Sequence, residues 1–266
     1  MVNGTADSIM TAELSNWSGK AIKIPRTEIQ TCSRDDVNSA GVYLLFCQDD
    51  DGSSSVYIGE AENIIVRLRQ HLQEYKAGKE KFYWNTAVIF IGRDLNKALI
   101  RYIEDKLVKS ARECGRYRVL TKNTYDTSIK ESLVATMEEF IDNIKILIST
   151  MNYNVFVPVP KAEDDTQYFF CNSSKSEAAA KGFVSPGGFT VLKGSKVSER
   201  IYPVFEGHNY HKLRLQLEND GVISEGIFQR DYEFNSPSAA SAVVLGRSSN
   251  GNVEWRTKDS VKLKDI

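Results

Sequence analysis

The chain predicts an α+β protein, and three observations carry that reading. Residues 41–46, 56–59 and 87–91 are apolar runs of strand length, rich in β-branched and aromatic residues. Residues 64–75 and 99–111 instead repeat apolar residues every three to four positions, the period of a helix with one buried face. Composition then shifts after Pro158, Pro160 and the acidic run 163–165, so the length is split between two domains. The expected architecture is a small three-stranded antiparallel sheet flanked by helices in residues 1–127, a connecting helix in 128–152, and a smaller α+β domain in 153–266.

In order, residues 1–20 are polar with Trp17 as the one large anchor, which suggests an arm. Residues 21–26 alternate briefly before Pro25 stops them, fitting a short edge segment. Residues 41–46 and 55–59 form a hairpin around a polar, acidic tip at 48–54. A helix over 62–77 ends at Gly78, a central strand covers 85–92, and Asp94 caps a helix over 95–114 that stops at Gly115. Another helix covers 129–151. In the second half, 168–170 reads as a strand, 176–181 as a short helix and 187–195 as a strand ending in a glycine turn. Residues 211–219 read as a helix and 228–234 as extended. Ser236 caps a last helix with Pro237 at its first position, and a turn then leads to Trp255. His208 and His211 lack a third ligand nearby and are read as loop residues.

The hydrophobic fraction of 41% and charged fraction of 26% are those of an ordinary globular protein, and no apolar run reaches membrane-spanning length. The start carries no export or organelle pattern, so a cytoplasmic location is expected. Cys32, Cys47, Cys114 and Cys171 have neither zinc-ligand spacing nor a disulfide framework. A net charge of -1 argues against coating nucleic acid through the global field. Locally, residues 64–122 hold fourteen Lys and Arg against six Asp and Glu, a basic excess that fits either a nucleic-acid surface or solvated helices.

The chemistry gathers around the hairpin and the helix after it. Asn63, Arg67 and His71 recur at i, i+4 spacing beside the buried stripe Ile64, Leu68, Leu72 and Tyr75, so a guanidinium and an imidazole point the same way near Tyr43 and Tyr57. Glu104 sits at the margin of an apolar stripe, between Ile100 and Val108. A carboxylate there needs a cation, a donor or a proton. It is either a metal ligand or a surface partner of Lys97 or Arg101. Taken singly, the tyrosines are ordinary packing residues and Arg67 an ordinary surface charge.

Gly41-Val42-Tyr43, then Tyr57-Ile58-Gly59, then Arg67 and His71 on the next helix and Glu104 on the one after, resembles the GIY-YIG endonuclease superfamily. The resemblance implies a divalent-metal-dependent endonuclease. In that reading Tyr43 takes part in activating water, Arg67 stabilises the crowded phosphorus, and Glu104 holds one Mg2+ or Mn2+. Tyr57 binds or orients the phosphate, and His71 accepts a proton or contacts phosphate. Gly59, Asn63, Arg69 and Asn123 are expected substrate contacts. DNA is the expected partner, with RNA left open, no membrane, and a homodimer if both strands are cut. Restriction or defence suits this architecture by analogy. The alternative is a scaffold that binds nucleic acid or protein without cutting. Two departures stand out: Glu60 replaces the lysine found after the second motif in repair-type members, and Thr121 falls where the family often has an Asn. Residues 188–195, 236–240 and 246–255 resemble a bacterial domain of unassigned function often found behind GIY-YIG modules.

Overall fold

The structure, a computed structural model, describes residues 8–48, 54–80, 82–173 and 177–266. The tip of the expected hairpin, 49–53, and the start of the expected short helix at 176 lie outside them. The chain divides into two compact units that meet in sequence near Pro158.

The first unit is built on β1 (Met10–Ala12), β2 (Gly19–Pro25), β3 (Gly41–Gln48), β4 (Ser54–Ala61), β5 (Trp84–Gly92) and β6 (Arg118–Val119). They form one sheet in the order β1-β2-β5-β3-β4-β6, antiparallel except where β4 meets β6. The expectation of three strands is therefore corrected to six. The three expected strands are adjacent at its centre, and the additions flank them. β2 is not an edge: it pairs along its whole length with β5, and Ile22 and Ile24 are fully buried. Pro25, which suggested an edge, is its last residue, where a missing N–H does least harm. β1 and β6 are too short for any periodicity to show.

Alternation along β3 sorts its side chains between two cores. Val42, Leu44 and Phe46 face α2 (Lys97–Cys114) and α3 (Glu131–Thr150). Tyr43 and Leu45 face α1 (Ile64–Lys76), whose Ile64, Ile65 and Leu68 complete that layer. Two glycines permit the close fit. A Cβ on Gly41 would lie 2.2 Å from the Phe90 carbonyl oxygen, and one on Gly59 would lie 2.6 Å from the hydroxyl of Tyr43. Asn96, not Asp94, caps α2, accepting from the N–H groups of Ala98 and Leu99.

The second unit carries a four-stranded antiparallel sheet in the order β12-β9-β8-β7, from β7 (Phe169–Ser173), β8 (Ala178–Ser185), β9 (Gly188–Val191) and β12 (Tyr232–Phe234). β10 (Ile223–Ser224) and β11 (Ile227–Phe228) form a small hairpin beside it. The expected short helix is a strand, because Ala178 and Ala180 alternate into the core between two pairing neighbours, overriding the helix preference of an alanine run. α4 (Asn209–Asn219) begins earlier than the expected 211, with His208 as its cap. α5 (Pro237–Leu245) starts at the Ser236 cap and ends at Gly246 in the left-handed conformation. α6 (Gly251–Glu254) delivers Trp255, which is fully buried and donates to the Pro237 carbonyl at 3.0 Å. Among the described residues, no helix is long and apolar enough to cross a membrane.

Candidate active site at the two tyrosine strands

Register fixes the two tyrosines. Tyr43 lies opposite Gly59, and Leu45 opposite Tyr57, so the phenols are diagonal neighbours on the face that α1 covers, with ring centres 6.2 Å apart. The missing side chain at Gly59 is the space into which the Tyr43 ring leans. Tyr43 is buried and Tyr57 half-buried. Burial pushes both phenols above their ordinary value, Tyr43 well above, while the Arg67 guanidinium pulls each back and the Glu104 charge pushes each up. At neutral pH both are therefore un-ionised donors.

α1 supplies the cation and the imidazole. Asn63 caps the helix by accepting from the Val66 N–H at 3.2 Å, and two turns follow that carry Arg67 and His71 onto one face. The Tyr43 hydroxyl and His71 Nε2 are 2.9 Å apart, and His71 is buried with its ring edge against both phenols. Arg67 is half-buried; burial works against its charge, but Tyr43 and Glu74 outweigh that and raise its pKa. One arm of the guanidinium rests on Glu74 at 3.1 Å and Gln70 at 3.3 Å.

Glu104 comes from α2, the helix covering the other face of the sheet. It is only 7% exposed, and its pKa is pushed up to about 7, first by burial and then by the neighbouring Glu60 charge, against the opposing pull of Lys97 and Arg101. Those two cations are not its ion-pair partners. Lys97 Nζ sits 2.9 Å from Glu60 and Arg101 Nε 3.6 Å from it, so Glu60 takes the pairing that the surface reading gave to Glu104. Glu60 thus brings a lysine to the end of β4 from α2. A nearly buried carboxylate, raised in pKa by a second acid, with no hydrogen bond found among the described residues, is a fit for a hard divalent ion with oxygen ligands.

The remaining expected residues lie elsewhere or do other work. Arg69 donates to the Cys32 and Gln30 carbonyls at 3.1 and 3.5 Å. Asn123 is exposed beyond β6. Thr121 is buried, and its hydroxyl both accepts from the Ile58 N–H at 2.8 Å and donates to the Ile58 carbonyl at 2.6 Å, acting as one more rung between β6 and β4. The sequence reading missed Glu74 and Glu80. With His71 they form a group whose ligand atoms all lie within 4.8 Å of one another. Glu74 was within reach of a helix-spacing argument, at i+3 from His71; Glu80, past the helix end, was not.

Residues 39–118 match the GIY-YIG catalytic domain, and residues 169–266 match a domain of unknown function, DUF4357. The first unit therefore carries a GIY-YIG domain, over residues 39–118. No curated protein and no solved structure matches it. The GIY-YIG domain is the catalytic module of a nuclease superfamily whose members generally depend on a divalent metal, so nuclease activity is the class of chemistry to which it points. The matched span holds both tyrosines, Arg67, His71 and Glu104, and stops short of Thr121 and Asn123.

Proposed function

We propose that this GIY-YIG protein is a metal-dependent endonuclease that hydrolyses phosphodiester bonds in DNA. The observation that carries the reading is the gathering of Tyr43, Tyr57, Arg67 and Glu104 from two strands and two helices, close enough that Arg67 and Glu104 each shift the pKa of both phenols, with His71 hydrogen-bonded to Tyr43. Phosphodiester hydrolysis requires a group that takes a proton from water, positive charge at the phosphoryl oxygens, and donors that hold the phosphate. Tyr43 hydrogen-bonded to His71 suits the first need, and Arg67 beside both phenols suits the second. Tyr57, half-buried and un-ionised, suits the third. Glu104 would hold Mg2+ or Mn2+, which when bound supplies further positive charge for the phosphoryl oxygens. Cutting of both strands would call for two copies of the single site, and restriction or defence remains the role the architecture suits by analogy.

The test is nicking of supercoiled plasmid with Mg2+ or Mn2+, comparing wild type with Glu104→Ala and Arg67→Ala. Metal-dependent cutting, lost in both variants, is the expected result. Binding of DNA or RNA with no cutting under any metal would overturn it in favour of the non-cleaving scaffold.

A further inference from the structure

His71 bonds on both sides of its ring. Nε2 meets the Tyr43 hydroxyl at 2.9 Å, and Nδ1 meets Glu80 Oε1 at 2.6 Å, with the His71 and Glu80 side chains only 2% and 6% exposed. Continuing α1 would have carried residue 80 roughly 13 Å along the axis from His71. Instead the helix ends at Ala77, Gly78 takes the left-handed conformation, and the N–H groups of Lys79 and Glu80 return to the Glu74 carbonyl at 2.9 and 3.3 Å. That turn folds the Glu80 carboxylate back against the imidazole.

Donor and acceptor counting then fixes the ring. A carboxylate only accepts, so Nδ1 carries the hydrogen; in the neutral ring Nε2 then keeps its lone pair, facing a phenol that remains protonated and can donate. We propose that Glu80 is the positioning residue of a Tyr43–His71–Glu80 proton relay, holding His71 in the tautomer whose Nε2 takes the Tyr43 proton. The proposal deepens the endonuclease reading and rests on it. In the reacting complex an O–H bond of water breaks as its oxygen bonds phosphorus and the bond from phosphorus to the leaving oxygen breaks. The water proton passes to Tyr43 Oη while the Tyr43 proton passes to His71 Nε2, and the Glu80 carboxylate balances the imidazolium so formed. Solvent protonates the leaving oxygen, and His71 later gives its proton to solvent.

The competing use of these side chains is a metal site made of His71, Glu74 and Glu80. Three distances favour the relay. The nearest Glu74 oxygen is 4.0 Å from Nδ1, and the other Glu74 oxygen is held by Arg67 at 3.1 Å, whereas the contact from Nδ1 to Glu80 has hydrogen-bond length. Glu80 Oε2 is buried with no partner among the described residues, so the carboxylate is poised to gain from a positive charge on the ring.

The tautomer is read directly by 15N NMR of the metal-free full chain, with His71→Gln assigning the signals. Wild type should show protonated Nδ1 and bare Nε2. Glu80→Gln, which keeps an acceptor but loses the charge, should keep that pattern and slow single-turnover nicking about tenfold at unchanged plasmid affinity. Glu80→Ala should lose both the pattern and about a hundredfold in rate. A protonated Nε2 in wild type, wild-type rates in both variants, or loss of the Nδ1 hydrogen on adding Zn2+ or Mg2+ would each overturn the relay. If the wild type never cuts, the endonuclease reading fails by itself and the relay with it, while the tautomer still reports whether Glu80 sets the ring.

Discussion

Replacing Glu104 by Gln should stabilise the GIY-YIG domain at pH 8 and leave it unchanged at pH 4. The carboxyl is pushed from 4.5 to about 7, so the folded state binds this proton more tightly than the unfolded state does. Below the ordinary value both states hold the proton, and the isosteric amide changes nothing. As pH rises through 7 the folded state must carry a nearly buried charge, and that share of stability is lost. At about 1.36 kcal/mol per unit the ceiling is about 3 kcal/mol, and local relaxation should bring it to about 2 kcal/mol. Urea unfolding read by hydrogen exchange in peptides of β3 and β5 isolates this domain from the second unit. Stability of Glu104→Gln minus that of wild type should rise from near zero at pH 4 to its full value by pH 8. Mg2+ at ten times its dissociation constant should then return about 1.4 kcal/mol to wild type alone, with affinity falling up to tenfold per unit below pH 7. Equal midpoints for the two proteins at pH 8 would refute the argument, because a carboxylate that costs nothing to ionise is neither desolvated nor waiting for a cation.

Gly59→Ala places a methyl 2.6 Å from the Tyr43 hydroxyl; it should cost about 1–3 kcal/mol and at least tenfold in nicking, measured by urea titration and plasmid assay. Thr121→Val keeps the shape but leaves the Ile58 N–H and carbonyl without this partner, for an expected loss of about 1–3 kcal/mol with the active-site residues untouched. Arg67→Lys should not rescue Arg67→Ala: one ammonium cannot reach Glu74 and the two phenols together, and kcat should stay about a hundredfold down. Glu60→Gln removes one acidic neighbour of Glu104 and frees Lys97 and Arg101, so the pH midpoint of Mg2+-dependent nicking should move lower.

By itself the sequence determined the central strands and the helices α1 to α3, and it offered five residues as a candidate site. Helix spacing put Arg67 with His71, an acid among apolar neighbours left Glu104 either a metal ligand or a surface partner, and the resemblance carried by two tripeptide motifs joined them to Tyr43 and Tyr57. Each of those signals is local, repeating over a few residues. What only the tertiary structure decided depends on contacts between distant segments: that β2 lies inside the sheet, that Thr121 serves as a rung on β4, that Glu60 draws Lys97 and Arg101 away from Glu104. Glu80 shows the limit most plainly. Nothing in its spacing marks it, because its place beside His71 is set by a chain reversal at Gly78 and not by the period of a helix. Local sequence writes faces and periods, and only the closed chain brings together groups that no period relates.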